Sequence, residues 1–157
     1  MSVIHLIRTT SANPHFRTLV NQLDAELRVM YAELMDTYDQ HNVIEQNDTV
    51  VIAYLDDQPV GCGCFKAFDD EAVELKRMFV HPDARGWGIS KLILGGLETW
   101  ARELGFTCTV LETGSKNIDA KHLYHKSGYA DIPKYGPYVD LPDSICMRKQ
   151  LPLIDRD

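Results

Sequence analysis

Between residues 72 and 105 the spacing of apolar side chains changes from two to three and four, and the change falls on Arg85-Gly86-Trp87-Gly88-Ile89-Ser90. Upstream, AVELKRMFV at 72–80 carries apolar residues on both alternating faces, as a strand in the interior of a sheet does. Downstream, Ile89, Leu92, Ile93, Leu97, Trp100, Ala101 and Leu104 mark one face of a helix, with Gly105 at the position of a C-terminal cap. A strand, the loop His81-Pro82-Asp83-Ala84, two glycines and an amphipathic helix confine the chain to folds that pack helices on a sheet. The first N–H groups of such a helix have no partner within it and lie at the positive end of its dipole, which suits phosphate. Gly86 and Gly88 remove side chains that would hold a pyrophosphate off the backbone, and Arg85 adds charge; as a bare pattern the two glycines fit a plain tight turn equally well.

The remaining segments extend this order. VIHLIR at 3–8 reads as a strand, and Leu19, Leu23, Leu27, Met30, Tyr31 and Leu34 give a long helical region at about 14–39, followed by a polar loop at 41–48. VVIAYL at 50–55 and PVGCGCFKAF at 59–68 flank the turn residues Asp56-Asp57-Gln58-Pro59 and form a hairpin, and Asp69-Asp70-Glu71 turns into the strand at 72–80. CTVLET at 108–113 is a further strand, and Ala120, Leu123, Tyr124 and Ser127 trace a helix capped by Gly128. The loop Tyr135-Gly136-Pro137-Tyr138 and one or two strands, the last near 144–150, complete the chain. With 157 residues, 45% of them apolar, and no repeat or linker, residues 1–157 are expected to form a single domain.

A net charge of −7 argues against a nucleic-acid binder, which needs clustered Lys and Arg, and favours cationic small molecules. No apolar run approaches the length of a membrane span and the first residues lack a signal peptide's pattern, so a cytoplasmic location with no membrane partner is expected. Cys62, Cys64, Cys108 and Cys146 match no zinc spacing and read as reduced thiols. His122 and His125 share a face with Lys121 and Lys126, and Cys62-Gly63-Cys64 has no second pair, so no metal is expected.

The segment at 85–90 resembles the pyrophosphate-binding motif of the GNAT N-acetyltransferases: Arg or Gln, two residues, Gly, one residue, Gly or Ala. Phe79-Val80-His81-Pro82 matches the strand and X-Pro loop that precede it in that family. Leu111-Glu112-Thr113, then Asn117, Ala120, Leu123, Tyr124, Gly128 and Tyr129, resembles the family's second motif at the same spacings, so the likeness covers about residues 49–150. Ser90 stands where Gly or Ala is usual and Trp87 where Lys or Arg is common, which implies a phosphate contact of different shape. The resemblance implies an α/β GNAT acyltransferase fold, with a mixed central sheet of six or seven strands flanked by about four helices. It further implies acetyl-CoA as cosubstrate, held in a cleft between the fourth and fifth strands, and an amine acceptor.

It also implies roles. Met78, Phe79 and Val80 would pair with the pantetheine arm, the Met78 N–H donating to the acetyl carbonyl as charge develops on its oxygen. Arg85, Gly86, Trp87, Gly88, Ile89 and Ser90 would hold the pyrophosphate, and Asn117 would contact the cofactor or serve only as a helix N-cap. An alkylammonium of pKa about 10.4 must lose a proton before it attacks. Glu74, expected on one face with Ala72, Lys76 and Met78, matches the family's general base in position, with Glu112 and a water relay as alternatives; otherwise Glu74 is a salt-bridged carboxylate beside Lys76. Tyr124 matches the tyrosine that protonates the departing thiolate, or else packs in the core. Tyr135 and Tyr138 lie in a loop that builds an acceptor pocket in that family, with the helices at 14–39 as the opposite wall. No Cys or Ser stands in a nucleophile setting, so the amine would attack directly. The rival readings are a non-catalytic acyl-CoA-binding module and an acyltransferase for another acyl-CoA. A homodimer is compatible with the chain, in which no interface is marked.

Overall fold

The computed structural model describes residues 2–31 and 45–153. Seven strands form one mixed sheet: β1 (Ile4–Thr9), β2 (Val50–Leu55), β3 (Gln58–Ala67), β4 (Ala72–Val80), β5 (Cys108–Gly114), β6 (Ala130–Ile132) and β7 (Ser144–Gln150). Their order is β1-β2-β3-β4-β5-β7-β6, and β4–β5 is the parallel pair. Three α-helices are described, α1 (Pro14–Met30), α2 (Ile89–Glu103) and α3 (Ile118–Lys126), where about four were expected. The expected helix at 14–39 therefore holds as far as Met30, and its part from residue 32 on lies outside the described residues. No described helix is long and apolar enough to cross a membrane.

Local chemistry explains the junctions. Asp56 and Asp57 both have left-handed φ (48° and 72°), which matches the right-handed twist of the β2–β3 hairpin they close. Asn13 caps α1 by accepting from the His15 N–H at 2.8 Å, and Pro14 supplies a first-turn φ without an orphan N–H. Gly105 and Gly128, at φ 97° and 99°, end α2 and α3 as the spacing predicts. Phe16, Leu19 and Val20 of α1 cover Val50, Ile52, Cys62 and Cys64 on one face of the sheet. Ile89, Ile93, Leu94 and Leu97 of α2, with Tyr124 of α3, cover Val51, Phe65, Val73 and Leu75 on the other.

A bulge in β4 sets up the site. Cys64 pairs with Lys76 but Cys62 with Phe79, so Arg77 and Met78 together oppose Gly63, and Arg77 takes a left-handed φ of 60°. A Cβ on Gly63 would collide with the Met78 thioether and the Leu97 side chain, so the absence of a side chain there lets both pack against the strand opposite the extra residue. The inserted residue reverses the alternation. Val73 and Leu75 face α2 before it and Met78 and Val80 after it, so Met78 lies on the face opposite Glu74. This corrects the shared face expected from unbroken period-two counting. Pairing of β4 with β5 runs only from Ala72↔Cys108 to Leu75↔Leu111, after which the two strands part.

Candidate active site

The gap opened by the bulge holds two adjoining cavities. The larger, of about 350 Å³, lies on the side of α2 and α3. Met78, Phe79 and Val80 form one wall, Arg85, Gly86, Gly88, Ile89 and Ser90 close its end, and Asn117 and Tyr124 stand opposite. The smaller, of about 110 Å³, reaches Lys76, Glu112 and Tyr138 on the other face. Leu23, Leu27, Met78, Asn117 and Tyr124 line both, so α1 does supply a wall.

At the mouth of the larger cavity, Gly86 and Gly88 adopt φ of 88° and 78°, and a Cβ on either would meet no atom within 4 Å. The space beside their backbone is open, as a cradle for a pyrophosphate must be. Trp87, between them, is 54% exposed and does not line the cavity. The Arg85 guanidinium is pinned: Nε donates to the Val80 carbonyl at 2.9 Å, its plane lies over Phe79, and Nη2 donates to both carboxylate oxygens of Glu26 at 2.9 and 2.7 Å. Nothing in the sequence pairs Glu26 with a residue so far along the chain.

The two candidate carboxylates differ in their surroundings. Glu74 is buried and lines neither cavity; Tyr135 donates to its Oε2 at 2.8 Å, and Lys76 Nζ lies 3.8 Å from Oε1. Burial and the Glu74 charge push the Tyr135 phenol far above its usual range, so it stays a donor. Glu112 lines the smaller cavity. Burial, with some help from the Glu74 charge and against a 3.4 Å bond from Ser144, raises its pKa to about 7. Tyr124 is buried and packed edge-on against Tyr129. Burial and then the Glu112 charge raise its phenol well above the usual range. Asn117 caps α3 by accepting from the Ala120 N–H at 3.3 Å while lining both cavities, so cap and wall are one residue. Tyr138 joins the smaller cavity, whereas Tyr135 is spent on Glu74.

A mixed sheet parted at its parallel pair, with an open glycine turn at the mouth of the gap, is the frame of the acyl-CoA N-acyltransferases. A structure of that type from Klebsiella pneumoniae superposes with a TM-score of 0.76 at 26% identity, over 95% of this chain and 98% of that one. The fold is shared with a GNAT family acetyltransferase from Elizabethkingia anophelis with acetyl-CoA bound (TM-score 0.68, 20% identity, 94% of this chain and 98% of that one). The IAA acetyltransferase of Azospirillum brasilense is 37% identical over 136 residues, which cover 85% of this chain and 88% of that protein. The Acetyltransferase (GNAT) family model matches residues 16–129, and the chain belongs to that family.

Proposed function

We propose that the protein transfers an acetyl group from acetyl-CoA directly to an amine. The observation that carries this reading is the shared wall. A cavity ending in a phosphate cradle and a second cavity holding a titratable carboxylate meet at Met78 and Tyr124, where a donor carbonyl and an acceptor nitrogen would come together. Acetyl-CoA supplies the activated thioester. The Gly86–Ser90 turn would bind its pyrophosphate, the parted edge of β4 at Met78–Val80 would align its pantetheine arm, and the Met78 N–H would face the acyl oxygen, where it favours developing charge.

We assign the base to Glu112 rather than Glu74, because Glu112 borders the acceptor cavity and titrates near neutral pH, whereas Glu74 is engaged by Tyr135. Glu112 takes the ammonium proton, and Tyr124, kept protonated by burial, donates toward the leaving sulfur. A cysteine acyl-enzyme has little support: burial raises the Cys64 thiol to about 12 and pushes Cys62 higher still.

The test is thiol release from acetyl-CoA with a panel of small amines, amino acids, polyamines and peptides. Release that requires both substrates is the expected result. Coenzyme A binding without amine-dependent release across the panel would make the protein a binding module, and faster release from longer acyl-CoAs would reassign the donor.

A further inference from the structure

The guanidinium that stands at the phosphate cradle already holds an anion, and that anion belongs to the protein. Glu26 projects from α1 into the larger cavity, and its two oxygens take both bonds from Arg85 Nη2. The rest of the guanidinium is tethered through Nε to Val80 and through its face to Phe79, so it cannot swing away from the cavity without breaking those contacts. We infer that Glu26 is a built-in stand-in for the cofactor's phosphate, occupying Arg85 until the pyrophosphate displaces it and thereby weakening the binding of coenzyme A. The inference rests on the larger cavity being the coenzyme A site.

Two physical arguments give the direction. Arginine recognises carboxylate and phosphate through the same N–H groups, and Arg85 Nη2 is already bonded to both oxygens of Glu26, which a phosphate must displace to take that place. If the phosphate approached another edge of Arg85, the Glu26 carboxylate would still line the same cavity, and two negative charges brought close together at a wet surface repel. Either arrangement sets Glu26 against the ligand. A residue whose removal improves binding is the reverse of what a cavity-lining residue ordinarily does.

The experiment is calorimetry of coenzyme A, and of pantetheine as a phosphate-free probe, with the parent and with Glu26→Gln. The exchange is nearly isosteric on a partly exposed side chain, so folding is not at issue. Parent binding of coenzyme A tests the site itself, and the comparison of the two proteins tests Glu26. The expected result is about three- to tenfold tighter coenzyme A binding in Glu26→Gln at low salt, shrinking as salt screens the repulsion, with pantetheine affinity unchanged. Equal or weaker coenzyme A binding in the variant, or the same gain with pantetheine, would overturn the inference.

Discussion

Glu112 and Glu74 lie on one face of the sheet, two residues out of register, and their bonds separate them chemically. Glu112→Gln should cost about 10²–10⁴-fold in kcat/KM at neutral pH and abolish an acidic limb near pH 7, the loss shrinking at high pH as more amine is already neutral. Glu74→Gln should leave that limb in place. The raised pKa also has a stability sign. The folded state holds the Glu112 proton up to about pH 7 and the unfolded chain releases it near pH 4.3, so this group's contribution falls as pH rises between those values. Glu112→Gln should therefore melt about 3–8 °C above the parent at pH 8, a gain that melting curves at pH 4 should lack. Tyr124→Phe should lower kcat while leaving coenzyme A affinity within about twofold, as stopped-flow and calorimetry would show. Pattern matching alone found both carboxylates and the tyrosine. It put Glu74 before Glu112, an order that takes no account of Tyr135 and Ser144, which reach the two carboxylates from other segments.

The β4–α2 junction was legible because its chemistry is local: a change of period, two glycines and a helix cap all sit within one stretch of chain. The β4 bulge was not, since a left-handed Arg77 gives no compositional signal and the glycine that admits it, Gly63, is on another strand. One unseen residue of register was enough to place Met78 on the wrong face. The junction's prediction concerns Gly88, whose φ of 78° costs an L side chain about 1–2 kcal/mol. Gly88→Val should thus lower the melting temperature by only a few degrees, yet weaken coenzyme A binding more than tenfold, because the isopropyl group would fill open space beside the amides. Calorimetry showing unchanged affinity in the folded variant would remove the phosphate role from this turn.

α1 ties the two halves of the molecule together. Tyr31, at its end, is 3% exposed, accepts from the Lys116 N–H at 3.0 Å, and fills the space beside Gly114, where a Cβ would overlap its ring. Gly114→Ala should push Tyr31 out, costing about 1–3 kcal/mol by thermal melting and raising the KM of both the acceptor and acetyl-CoA, because Leu23 and Leu27, carried on the same helix, line both cavities. The order of strands and helices could be read from period and turn chemistry, but this clamp joins residues 85 positions apart and has no local signature. The shared wall has one more consequence. A compound that joins the sulfur of coenzyme A to a suitable amine through a short acyl bridge would thread the sheet and fill both chambers at once. Because its second half binds at an effective concentration set by the bridge, it should bind about 10²–10⁴-fold more tightly than coenzyme A alone. A small library of such conjugates, ranked by residence time, would name the acceptor by the amine that makes the slowest-leaving ligand.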